Sequence, residues 1–207
     1  RYLEGYQDET ETRFAPVMCQ QCSNAGCEPV CPVYATYHNP EGLNAMIYNR
    51  CVGTRYCSNN CIYKARRYNW FDYEFPAPLD QQLNSSITTR AVGVMEKCNF
   101  CVHRLTEAKY AARDLDRDVQ DGEVVTACQQ TCPTKAITFG NLADPNSKVS
   151  QLAKRKPDLL ADPDKENRDR QYEIFPEMNY KPAVTYLRKV NHKEVAGLYG
   201  NEHGTAH

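Results

Sequence analysis

Eleven cysteines in 207 residues constrain this chain more than any other feature of it. All but Cys51 have another cysteine within five residues, so the thiols come in tight local runs. Three chemistries compete for such runs. A disulfide framework suits small secreted domains, but here the count is odd and the chain is long enough not to need staples. Zinc sites want two short cysteine pairs per metal, a pattern that Cys98-x2-Cys101 with Cys128-x3-Cys132 imitates. Iron–sulfur clusters account for the whole set.

Cys19-x2-Cys22-x4-Cys27-x3-Cys31-Pro32 is a close variant of the run C-x2-C-x2-C-x3-C-P, in which three cysteines bind one cubane and the fourth reaches another cluster. Short spacers let a tight loop wrap three iron corners, after which a helix is expected to carry the fourth thiolate away. Cys51-x5-Cys57-x3-Cys61 is the same run with Thr54 where its second cysteine belongs. A hydroxyl is a poor iron ligand beside a thiolate, so the corner that Thr54 faces is expected to be empty, giving a [3Fe-4S] cluster. The alternative is a [4Fe-4S] cluster with oxygen or water at that corner. Cys98-x2-Cys101, then 26 residues, then Cys128-x3-Cys132-Pro133 is a third run with a stretched central loop. The insertion predicts a short exposed helix over Leu105 to Leu115 before an Asp121-Gly122 turn, and Thr131 to Gly140 reads as a Cys-Pro turn followed by a short strand.

Interlocking of runs, each giving three thiolates to one cluster and its last to the partner, pairs the first two runs. Cys19, Cys22, Cys27 and Cys61 then hold a [4Fe-4S] cluster, and Cys31, Cys51 and Cys57 hold the three-iron cluster. The third run offers Cys98, Cys101 and Cys128 to one [4Fe-4S] cluster and Cys132 to another, and requires a mate. Composition narrows the partners. With 25 Lys+Arg against 26 Asp+Glu there is no basic stripe for nucleic acid. The apolar stretches are far short of a bilayer span and the mean hydropathy is −0.70. No catalytic dyad, phosphate loop or nucleotide fingerprint is present.

These runs resemble the four-cluster ferredoxin-like subunits of the polysulfide, dimethyl sulfoxide and nitrite reductase systems, over residues 1 to about 140. The resemblance implies an α+β fold of double bacterial-ferredoxin type, with short strands, short helices and long loops. It also implies a further run of four cysteines upstream of Arg1, pairing with the last run. Cys98, Cys101 and Cys128 would take their fourth ligand from that segment, and Cys132 would cap a cluster whose other ligands lie there. The stretch Asn49 to Cys61, with its Thr54, is most similar to the iron–sulfur protein of alternative complex III, a quinol oxidoreductase. That similarity implies three [4Fe-4S] clusters and one [3Fe-4S] cluster in the whole subunit. It implies a peripheral place on the periplasmic face of the bacterial inner membrane, a polytopic quinol-binding subunit as one partner and multihaem cytochrome c subunits as another. The upstream segment, or a molybdopterin-like domain of the same protein, is a further implied partner. Ile62 departs from the Pro expected after Cys61 and is expected to loosen that turn. The rival expectations are an iron–sulfur wire of a quinone-reducing or molybdenum-containing complex, and a zinc-stabilised structural subunit.

Lys64, Arg66 and Arg67, with Tyr63, Tyr68, Trp70, Phe71, Tyr73 and Phe75, read either as a docking face or as packing over a cluster. His38, His103 and His192 are residue types that can ligate metal, though a lone histidine more often packs or faces water. Arg1 to Tyr6 reads as a strand and turn already under way, so a preceding segment is expected. Residues 141–207 contain no cysteine, carry several prolines and many charges, and read as an extended tail that wraps partners, anchored through Tyr172 to Tyr186.

Overall fold

A computed structural model describes residues 15–85, 87, 89–153 and 171–187. The Arg1–Tyr6 segment, His192 and the central and final parts of the tail lie outside the described residues. Regular structure is sparse and short. Strands β1 (Thr36–His38) and β2 (Asn44–Met46) form an antiparallel hairpin in the register Thr36↔Met46, Tyr37↔Ala45 and His38↔Asn44. Its loop is set by Asn39, whose side-chain oxygen accepts from Leu43 N at 2.8 Å and Glu41 N at 3.1 Å. Helix α1 (Tyr56–Asn59) follows. Strands β3 (Arg67–Tyr68) and β4 (Met95–Glu96) make a second antiparallel pair.

The 26-residue insertion folds as α2 (Val102–Asp114), three residues earlier at its start than the sequence predicts, and leads to α3 (Ala127–Thr131). Thr126 caps α3, its hydroxyl accepting from Gln129 N. Arg104 on α2 donates to Val125 O and to Gln130 Oε1, both at 2.8 Å, and this folds the insertion back so that Cys128 returns toward Cys101. Helix α4 (Lys148–Leu152) is capped in the same way by Ser147. The last pair, β5 (Gln171–Tyr172) and β6 (Tyr186–Leu187), is antiparallel.

Two local expectations are corrected. The strand expected between Thr131 and Gly140 does not form among the described residues, where residues 135–140 have no ladder partner. The first run has only turns over residues 26–30 where a helix was expected, while the other two runs each carry a short helix at that place.

The core is built largely of sulfur. Cys27, Cys57 and Met95 form the buried cluster, flanked by Ala25, Met46, Cys51 and Tyr68. Strands of two or three residues and so few buried aliphatic side chains do not on their own hold a chain of this size. The loop carrying Thr54 lies tight against this core. Gly53 has φ +73, and a Cβ there would fall on Gly93 O and stand 3.0 Å from the Tyr68 ring. Gly53→Ala is therefore expected to destabilise the loop by on the order of 1–3 kcal/mol from the backbone conformation alone. The melting temperature and the iron content should both fall, and a variant with unchanged melting would refute the tight approach.

Candidate metal centres

The first group of thiols gathers Cys19, Cys22, Cys27 and Cys61. The Cys19–Cys22 loop turns at Gln21, φ 48, whose buried amide donates to Cys98 O at 2.8 Å and accepts from Asn44 N at 2.9 Å. Burial, and then the neighbouring Cys19, Cys27 and Cys61, push the Cys22 thiol up to about 12. Burial also raises Cys27, opposed by the Arg66 guanidinium.

A second group gathers Cys31, Cys51 and Cys57. Burial raises the Cys57 thiol, Arg66 lowers it, and Cys51 and Cys31 raise it again. These three cysteines and Thr54 line one small pocket, with Val33, Met46 and Met95 among the other walls. Burial works against ionisation of Cys31. The backbone N–H of Ala35, at 3.2 Å from its sulfur, with those of Val33, Thr36 and Tyr34, nonetheless holds the thiol below its ordinary range.

The third group is more open. Burial raises the Cys98 thiol, the Phe100 N–H at 3.5 Å lowers it, and Cys19, Lys97 and Cys101 all lie within electrostatic reach. Ala127 N donates to Cys101 Sγ at 3.3 Å, which brings the start of α3, and Cys128 one residue on, beside Cys101. Cys128 is exposed. The contacts of Cys132 are with its own turn, where the Thr134 hydroxyl and the Ala136 N–H at 3.3 Å hold its thiol low.

One backbone pattern recurs through the runs. The residue two after each leading cysteine has positive φ: Gln21 at 48, Gly53 at 73 and Phe100 at 54. So does the residue three after each closing cysteine: Tyr34 at 51, Lys64 at 52 and Lys135 at 52. Each of these last three donates its N–H to the closing cysteine's carbonyl, at 3.2, 3.1 and 3.1 Å. The turn after Cys61 thus has the same geometry as the others despite Ile62. All eleven cysteines are free of disulfides. Among the described residues no three His, Cys, Asp or Glu side chains close on a point where a single metal ion would sit, so the thiols are grouped more loosely than a mononuclear site.

Two cations stand between the groups, Arg66 buried and Lys97 partly buried. Arg66 is 2 % exposed and donates to Cys27 Sγ at 3.2 Å, Asn44 Oδ1 at 2.6 Å and Thr36 Oγ1 at 3.0 Å. Burial pulls its pKa down, and the interactions with Cys27, Cys57 and Cys19 more than offset that. Lys97 donates to Asn44 O and, at 3.1 Å, to Cys98 O. Burial lowers its pKa, with Cys19 and Cys98 opposing.

The basic and aromatic stretch divides between the two readings, part of it packed inward and part exposed. Arg66 and Tyr63 are buried, while Arg55, next to Thr54, lies 5.0 Å from the ring centres of both Tyr68 and Trp70. Phe71 and Tyr73 are exposed. In sequence Arg66 is one of three similar cations, and only its inward orientation beside strand β3 separates it from Arg67. Gln21 and Asn44 carried no signal in the sequence. His38 pairs with Glu28 at 2.5 Å and does not face the thiols.

The described tail segment packs on the chain itself. Lys181 O and Tyr180 O accept from Ser23 N and Asn24 N at 2.9 and 3.1 Å, and Ala183 N donates to Gln20 O at 2.8 Å. Tyr63 adds a bond to Ile174 O at 3.1 Å. Removing residues 171–207 deletes three backbone bonds of about 1 kcal/mol each from the first cysteine loop. If Cys19, Cys22, Cys27 and Cys61 hold a cluster, its iron is expected to be lost faster in air than in the whole chain, followed by the bleaching of visible absorbance. Equal bleaching rates would show that the tail does not guard the loop.

No known protein-family profile matches the chain. It is 43% identical over 152 residues to the menaquinone reductase, iron-sulfur cluster-binding subunit, of Nitratidesulfovibrio vulgaris, covering 72% of this chain and 60% of that protein. It is 36% identical over 143 residues to the Hdr-like menaquinol oxidoreductase iron-sulfur subunit 1 of Archaeoglobus fulgidus, covering 67% of this chain and 48% of that protein. It is 34% identical over 155 residues to the protein NrfC of Escherichia coli, covering 74% of this chain and 54% of that protein. The chain spans about half to three fifths of the length of these relatives. It is thus a relative of the iron–sulfur subunits of quinone-linked oxidoreductases, in keeping with the four-cluster ferredoxin family that its cysteine runs resemble.

Proposed function

We propose that this chain is an iron–sulfur electron-transfer subunit of a membrane quinol oxidoreductase, with a double ferredoxin-like fold and no substrate-converting site of its own. The observation that supports this most is the crossing of the first two runs. Cys61 lies within electrostatic reach of Cys22, as Cys19 and Cys27 do, while Cys31 lines one pocket with Cys51 and Cys57. That exchange of closing cysteines is how paired clusters are held side by side. Buried sulfurs, N–H groups aimed at Cys31 and Cys132, and a buried guanidinium against thiols form a donor set suited to anionic iron–sulfur cores. When bound, such cores supply one-electron storage.

In this reading Cys19, Cys22, Cys27 and Cys61 bind a [4Fe-4S] cluster, and Cys31, Cys51 and Cys57 a [3Fe-4S] cluster with Thr54 at the vacant corner. Cys98, Cys101 and Cys128 bind a third cluster completed from an upstream segment, and Cys132 serves a fourth. The whole subunit carries three [4Fe-4S] clusters and one [3Fe-4S] cluster. Its setting is an alternative complex III, on the periplasmic face, between a quinol-binding membrane subunit and multihaem cytochrome c subunits. No helix among the described residues is long and apolar enough to cross a membrane, so attachment in this reading is through those partners.

A second reading, a wire that delivers electrons to quinone, is favoured by the 43% identity to a menaquinone reductase subunit. Purification of the native complex separates the two. Multihaem cytochrome c and a polytopic subunit, with cluster reduction by added quinol, are expected; a molybdopterin subunit, or clusters that quinol leaves oxidised, would reject the first reading. Absence of iron and acid-labile sulfide would reject both.

A further inference from the structure

Arg66 stands between the first group and the second, as Lys97 stands between the first and the third. The Arg66 guanidinium donates to Cys27 of the first group, which packs in one buried cluster with Cys57 of the second, so its charge reaches both. The fork is fixed from behind by Thr36 and Asn44, which are 0% and 1% exposed, and Asn44 is itself held by Glu28 at 2.5 Å. Among the described residues no carboxylate lies within ion-pair distance of Arg66. A guanidinium stays charged in any protein, and burying it without an anion is costly. The groups it faces are sulfurs of the two neighbouring metal-binding sets.

We propose that Arg66 is a positioning residue shared by the two centres, one buried charge that raises the reduction potential of both and keeps them close enough for exchange of an electron. This rests on the cluster reading above. A fixed cation favours the state with more negative charge, and the net charge and hydrogen bonds around the sulfurs are what set such potentials. The planar fork matters because it serves Cys27 and Asn44 from one nitrogen and Thr36 from the other, a geometry that a single-point ammonium does not reproduce.

The test is a redox titration of the complete, cluster-loaded protein, followed by electron paramagnetic resonance, with iron and sulfide counted in parallel. In Arg66→Met both midpoints are expected to move negative by at least a tenfold change in the one-electron equilibrium, about 59 mV by conversion. Arg66→Lys, which keeps the charge, should move them less. Loss of both clusters in Arg66→Met with retention in Arg66→Lys would be the same dependence on charge at its limit. Unchanged midpoints in a loaded Arg66→Met, a shift or loss confined to one centre, or Arg66→Lys behaving like Arg66→Met would overturn the proposal. If the cluster reading itself is wrong, the unaltered protein holds no iron or acid-labile sulfide, and that is seen before any variant is compared.

Discussion

Stripping iron from the native protein is expected to abolish its cooperative melting transition. The buried core contains Cys27, Cys57 and Met95 as its centre, and no disulfide ties the surrounding loops. Without an anionic core, Arg66 is a buried charge facing thiols, and a buried ion that has lost its partner costs about 3–5 kcal/mol. That is comparable with the roughly 5–15 kcal/mol by which an ordinary domain is stable, before any ligand bonds are counted. The measurement is circular dichroism on heating, before and after anaerobic chelation. A stripped protein that melts at the native temperature would show that the chain holds itself together without metal.

Retention of iron should also fall with pH. Burial holds the thiols of Cys22, Cys27, Cys57 and Cys98 above their ordinary range, so the empty protein keeps protons there at neutral pH. Binding as thiolates releases those protons, and acid therefore favours the empty form.

In the proposed cluster reading, Thr54→Cys is expected to add one iron and convert a three-iron centre to a four-iron one. Residue 54 follows the positive-φ Gly53 as Cys22 follows Gln21 and Cys101 follows Phe100, so a sulfur at 54 occupies the place of a normal ligand. The pocket already has Cys31, Cys51 and Cys57 on its walls. The readout is the paramagnetic signal of the oxidised protein, which a three-iron cluster gives and an oxidised four-iron cluster does not. Thr54→Ser should leave both signal and iron count alone. A folded Thr54→Cys protein with unchanged iron would mean that the hydroxyl does not face an open corner.

The spacing of cysteines was legible because short loops built to wrap a metal leave a one-dimensional trace, and in the proposed pairing the crossing of Cys61 and Cys31 is what run order implies. The helix over the insertion was legible for a similar reason, since its residues favour helix locally, although Val102 to Arg104 extend it back to Cys101. What the sequence hid is set by distant contact. Lys64, Arg66 and Arg67 look alike in a row, yet Lys64 reaches Asn59 O at the surface while Arg66 points inward. The strand expected after Pro133 does not appear because a strand needs a partner, and among the described residues none lies alongside it. Nothing near Gln20 announces that Ala183 will bond to it.

That last bond bears on biosynthesis. Gln20 and Ala183 are 163 positions apart (183 − 20), so ribosomal synthesis at about 5–20 residues per second separates their appearance by on the order of ten to thirty seconds. Through that interval the thiols of the first run lie without their tail cover. In the proposed reading, iron can reach them while translation continues, and the cover forms only once residue 183 has emerged.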